Sequence, residues 1–143
     1  MRGKLPDDGS PTGRAEEARR GGERPVEVLV VDDHELFREA LRDLVDALPE
    51  FVLVGEAESG EAALEAVEAL SPRMVVMDKR MPGIGGVEAT RRLTARHPDL
   101  VVLLISLEVP EPELMRSCGA AAFLHKQQLT PTALRAVWQA HCR

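Results

Sequence analysis

The sequence has no tyrosine, one tryptophan and three phenylalanines, so aromatic residues make up only 3% of its 143 residues. Its core must therefore be aliphatic, and a hydrophobic content of 44% is enough to build one domain. Cysteine is as scarce. Cys118 and Cys142 cannot form a disulfide framework or a four-ligand zinc site, so a reduced, cytoplasmic setting is expected. The four histidines show no metal-ligand spacing. No apolar run approaches the length that spans a bilayer, and residues 1–25 lack the apolar segment of a secretory signal, so no membrane partner is expected. Positive charge is in deficit: 18 Lys and Arg against 24 Asp and Glu give a formal charge of −6. That balance argues against direct nucleic acid binding, which needs a basic face.

What is present is organised. Residues 1–25 are rich in Gly, Pro, Arg and Glu and poor in large apolar side chains, and are expected to be a disordered tail. From Val26 the texture changes. Val28-Leu29-Val30-Val31, Phe51-Val52-Leu53-Val54, Met74-Val75-Val76-Met77, residues 100–105 and Ala122-Phe123-Leu124 are short apolar runs that read as strands. Between them Leu36, Phe37, Ala40, Leu41, Leu44, Val45 and Leu48 recur at helical spacing. A second helix is capped by Ser59, a third covers residues 87–96, and a last one starts after Thr130-Pro131. Residues 113–118 allow at most a short helix, with Pro110 and Pro112 beside it. Alternation of strand and helix predicts a three-layer, doubly wound α/β fold with a five-stranded parallel sheet and a shortened fourth helix.

In such sheets chemistry gathers at the carboxyl ends of the strands. Asp32-Asp33 follow the first strand, Asp78 the third and Ser106 the fourth, and Lys126 lies just past the fifth. Each has an ordinary reading alone. Asp32 or Asp33 could cap a helix, Asp78 could serve a turn, Ser106 a loop, and Lys126 could be a solvated charge. Phe123 could be plain core. Together at one edge, three carboxylates repel one another unless a cation is present, and a hard ion such as Mg²⁺ resolves this. A carboxylate beside Mg²⁺ can attack a phosphoryl group and become an acyl phosphate, with Lys126 supplying positive charge and the Ser106 hydroxyl a hydrogen-bond donor to the phosphoryl oxygens.

Val30-Val31-Asp32-Asp33-His34, the stretch from Val75 through Met77-Asp78-Lys79-Arg80-Met81-Pro82 to Gly83, Ser106, and Phe123-Leu124-His125-Lys126 resemble the receiver domain of two-component response regulators. The resemblance covers residues 26–143, and the Asp-Asp-His opening with the Met-Pro-Gly loop and Gly86-Val87-Glu88-Ala89-Thr90 after it resembles the NarL/FixJ type. It implies a flavodoxin-like sheet of order 2-1-3-4-5. Asp78 would be the phosphoacceptor, served by a sensor histidine kinase. Asp33, Asp78 and the Arg80 backbone carbonyl would bind Mg²⁺, and Asp32 would help through water. Lys126 would pair with the phosphoryl group. Ser106 and Phe123 would be the switch residues. Output would pass to a downstream protein or to a second copy of the chain.

The sequence departs from that pattern in places. Ser106 to Lys126 spans 20 residues, fewer than the resemblance implies, and Leu107 stands where a small residue is usual. Arg80 and Glu108 each lie two residues beyond a site residue, a spacing that could pair them as a gate, with Leu107 beside it. No LuxR-type DNA-binding segment follows the last helix, so a stand-alone receiver, or a regulator lacking its effector, is expected. Two rivals remain at this point: a Mg²⁺-dependent aspartyl-phosphate phosphatase of the haloacid-dehalogenase kind, although Arg80 stands where such enzymes place a second Asp, and a receiver that binds proteins without phosphate.

Overall fold

The most apolar runs form the middle of a five-stranded parallel sheet of order β2-β1-β3-β4-β5. They are β1 (Val26–Val31), β3 (Met74–Asp78) and β4 (Val101–Ser106), flanked by β2 (Phe51–Ala57) and β5 (Ala122–His125). The structure is a computed structural model that describes residues 24–109 and 111–142. The tail expected over residues 1–25 lies, but for Arg24 and Pro25, outside the described residues, as does Pro110. Every residue of β3 and β4 is buried, which explains why these strands are continuous rather than alternating in polarity.

The helices cover both faces. α1 (Glu35–Asp46) and α5 (Pro131–His141) pack on one side, where Leu41, Val45 and Leu134 meet Val28, Val30, Met74 and Leu103. α2 (Gly60–Leu70), α3 (Gly85–Arg96) and α4 (Pro112–Cys118) pack on the other, around Leu29, Val31, Met77, Leu93, Leu104 and Phe123. Two caps are made as their sequence suggests: Ser59 Oγ accepts from the Ala62 N–H at 3.0 Å, and Thr130 Oγ1 from the Ala133 N–H at 3.1 Å.

Several boundaries differ from the apolar pattern, each for a local reason. β2 runs on through Gly55, Glu56 and Ala57, because backbone pairing with β1 continues after the apolar residues stop. A register shift there leaves Val54 as the extra residue, since Val28 pairs with Leu53 and Leu29 with Gly55. α3 starts at Gly85, two residues before the apolar spacing begins. α4 has seven residues and opens on Pro112, whose missing N–H costs nothing in a first turn. α1 turns Leu36 outward, 79% exposed, and buries Arg38 instead.

Candidate functional site

The carboxyl edge of the sheet brings the strand-end residues together. Asp32 is fully buried at the end of β1, and Asp78 is 4% exposed at the end of β3. Lys126 opens a 3₁₀ turn (Lys126–Gln128) after β5, and its Nζ reaches across the sheet to 2.9 Å from Asp32 Oδ2 and 3.6 Å from Asp78 Oδ1. The same ammonium sits 3.5 Å from the centre of the Phe37 ring, a cation–π contact that holds it over the pocket. Burial, followed by the charge of Asp32, pushes the Asp78 carboxyl up to about 6, while Lys126 opposes the rise. The Arg80 backbone N–H donates to that carboxylate.

Neither acid of the Asp32-Asp33 pair caps α1. The N-cap is His34, with no side-chain cap bond, and Asp32 Oδ1 accepts from the His34 backbone N–H at 2.9 Å. His34 Nδ1 lies 3.3 Å from Asp32 Oδ1 and 3.2 Å from Asp33 Oδ1. Asp32, Asp33, His34 and Asp78 thus offer ligand atoms within 4.8 Å of one another. Asp33 Oδ1 is buried yet accepts no hydrogen bond, a condition a cation would relieve. Three carboxylates make a hard oxygen donor set, which fits Mg²⁺.

The loop after β3 is built to end the strand sharply. A Cβ on Gly86 would stand 2.1 Å from the Asp78 carbonyl oxygen, so only glycine lets α3 press on the strand end. Glu61 of α2 steadies the same loop, its Oε2 accepting from the Ile84 N–H at 3.1 Å. On the neighbouring strand the Ser106 hydroxyl is buried and turned to its own loop, accepting from the Glu108 N–H at 3.0 Å. Glu108 then meets both cations of the β3 loop: Oε2 lies 2.9 Å from Arg80 Nε, and Oε1 is 3.1 Å from Lys79 Nζ. Those contacts hold the Glu108 carboxyl below its usual range, Arg80 contributing most and Lys79 next. Lys79 also reaches Glu111 at 3.4 Å and lies 5.7 Å over the Phe123 ring, which is 7% exposed. Leu107 is 60% exposed.

Asp32, Asp33, Asp78 and Lys126 therefore converge, and Ser106 sits at the same edge facing its loop. Arg80 and Glu108 are paired rather than separately solvated. Sequence reading missed Phe37, Arg38, Lys79 and Glu61. Arg38 carried a signal, since it precedes Leu41 by three residues and Val45 by seven on the buried face of α1.

A doubly wound parallel sheet with an acidic trio and a buried lysine at its carboxyl edge defines a class: pockets suited to a divalent cation and a phosphoryl group. The chain belongs to the response regulator receiver domain family, whose model matches residues 28–138. It is 44% identical over 103 residues to response regulator GacA of Pseudomonas protegens, covering 71% of this chain and 48% of that protein. It is 38% identical over 117 residues to the transcriptional regulatory protein DegU of Brevibacillus brevis, covering 80% of this chain and 50% of that protein. The signal receiver domain of the putative response regulator NarL from Mycobacterium tuberculosis superposes with a TM-score of 0.70 at 36% identity, over 82% of this chain and 96% of that one. The chain spans about half the length of the curated relatives it matches. Receiver domains are the phosphorylation-dependent switches of two-component systems and typically hold Mg²⁺ in an acidic pocket. Among the described residues no helix is long and apolar enough to cross a membrane.

Proposed function

We propose that this chain accepts a phosphoryl group on Asp78 from the phosphohistidine of a sensor histidine kinase, with Mg²⁺ as cofactor, and acts as a switch rather than a turnover enzyme. The observation that carries the reading is the single ammonium of Lys126 held against both Asp32 and Asp78, next to an Asp33 oxygen with no hydrogen bond. Asp33, Asp78 and the Arg80 backbone carbonyl would hold the ion, with Asp32 acting through water. The ion supplies charge neutralisation for the phosphoryl oxygens. An Asp78 carboxylate oxygen attacks phosphorus, the bond to the kinase imidazole breaks, and the imidazole nitrogen keeps the electron pair. Lys126 exchanges part of its contact with Asp32 for the phosphoryl group.

The output follows from Ser106. Ser106 turns toward the phosphoryl group to donate its O–H, and because the same oxygen still accepts from the Glu108 N–H, the loop after β4 is drawn toward Asp78 with it. That movement pulls on Lys79, and through Lys79 on the setting of Phe123. Arg80, Leu107 and Glu108 form a gate over the mouth that slows entry of water. Recognition of the new surface falls to a downstream protein or to a second copy of the chain; the acidic balance supports no direct nucleic acid contact by this unit. The test is incubation with Mg²⁺ and a small acyl-phosphate donor, read by intact mass. One added phosphoryl group in the parent and none in Asp78→Asn supports the reading. Catalytic turnover of phosphate esters without a stable adduct overturns it.

A further inference from the structure

Arg38 occupies a position that helical periodicity assigns to an aliphatic residue, yet it is only 8% exposed. A guanidinium can be buried there because each of its edges is matched. Nη1 donates to the Asp32 carbonyl oxygen at 2.7 Å, Nη2 is paired with Glu35, and Nε lies 3.3 Å from Glu56 Oε1. Glu56 is itself held by Arg42, whose Nη1 is 2.9 Å from both carboxylate oxygens.

The Asp32 carbonyl belongs to the peptide that joins Asp32 to Asp33. The N–H on the other side of Asp32 donates to the Ala57 carbonyl oxygen at 3.1 Å. Both peptides flanking Asp32 are therefore fixed, one by β2 and one by Arg38. The second fixes where the chain leads into Asp33, whose buried Oδ1 makes no hydrogen bond. Without such a restraint, repulsion among three acids would turn the Asp33 side chain outward, since its Oδ1 makes no hydrogen bond and has only the exposed His34 ring, 3.2 Å away, beside it.

We propose that Arg38 is a positioning residue for the divalent-cation pocket: by clamping the Asp32–Asp33 peptide it keeps the Asp33 carboxylate in place before any ion binds. The inference rests on the Mg²⁺-dependent reading above and adds to it a residue that touches neither ion nor phosphoryl group. Metal sites depend in this way on groups behind the ligands, whose loss typically weakens metal affinity about 10–100-fold. Lysine keeps the charge but lacks the planar fork that meets three partners at once.

The test measures Mg²⁺ affinity by titration calorimetry on the parent chain, Arg38→Lys and Glu56→Gln, with thermal unfolding of each in parallel. Arg38→Lys is expected to weaken Mg²⁺ binding about tenfold or more, while phosphorylation by a small acyl-phosphate donor recovers at saturating Mg²⁺. Glu56→Gln loosens Arg38 from behind and should weaken binding less, in the same direction; it decides the matter if Arg38→Lys fails to fold. A lowered unfolding midpoint with Mg²⁺ affinity unchanged in the folded variants makes Arg38 a packing group and overturns the proposal. A parent chain that binds no Mg²⁺ overturns the underlying switch reading instead, so the two failures are distinguishable.

Discussion

The ammonium of Lys126 lies closer to Asp32, at 2.9 Å, than to Asp78, at 3.6 Å. Asp32 is wholly buried, so in the resting protein Lys126 serves both acids but meets most closely the one that is not the proposed phosphoacceptor. Lys126→Met should leave two buried carboxylates without their cation. The expected cost is about 3 kcal/mol in denaturant unfolding without metal, partly recovered by adding Mg²⁺. Unchanged unfolding would show that the lysine does not perform this neutralisation.

Asp78 gives the fold a pH dependence of defined sign. Its carboxyl titrates near 6 against an ordinary 3.8, because burial and Asp32 disfavour its charge. Between those values the native state holds a proton that the unfolded chain has released, so the contribution of Asp78 to stability is fully present below about pH 4 and is lost as pH rises through about 6. At about 1.4 kcal/mol per unit, this amounts to roughly 3 kcal/mol by neutral pH. Asp78→Asn should remove that slope and raise metal-free stability at pH 7. Urea titrations at intervals from pH 4 to 8 provide the check, and parallel curves for the two proteins would refute the assignment.

Glu108 ties Arg80 and Lys79 together across the mouth of the pocket. Arg80 and Glu108 are exposed and Lys79 is half-buried, and ion pairs with exposed partners contribute little to folding. Glu108→Ala should therefore barely move the unfolding midpoint, yet shorten the lifetime of the acyl phosphate several-fold. Decay of the phosphorylated mass after donor removal measures this, and an unchanged half-life removes the gate.

Gly86 carries a steric requirement rather than a conformational one. The added carbon of Gly86→Ala meets backbone atoms of Asp78 and Lys79, which cannot rotate away as a side chain could. A loss of about 3 kcal/mol in stability is expected, together with poorer phosphorylation of whatever protein folds. Near-parental values for both would mean that α3 slides along the strand end without disturbing Asp78.

Much of this was legible in the residue order. The apolar runs marked β1, β3 and β4 because strands buried on both faces have no polar side to interrupt them. The same signal ended β2 too early, since Gly55 and Glu56 belong to an edge strand held by backbone pairing. Asp32, Asp33, Asp78 and Lys126 could be grouped because the doubly wound topology delivers every strand end to one side. The resting partner of Lys126 could not be read, as it depends on a distance of tenths of an ångström between two acids. Nor could the role of Phe37, whose ring looks from spacing alone like ordinary core. Arg38 shows the opposite case: the breach of periodicity was visible, but its meaning required the peptide it holds.

The seven residues of α4 rise only about 10 Å. Its far end is fastened to α3, where Thr94 Oγ1 donates to the Cys118 carbonyl oxygen at 3.1 Å. A stub tethered at one end has little freedom to translate, so a displacement arriving at its other end would tilt it rather than slide it. A docking protein on this flank would read an angle over two turns of helix, not the sliding of a long rod.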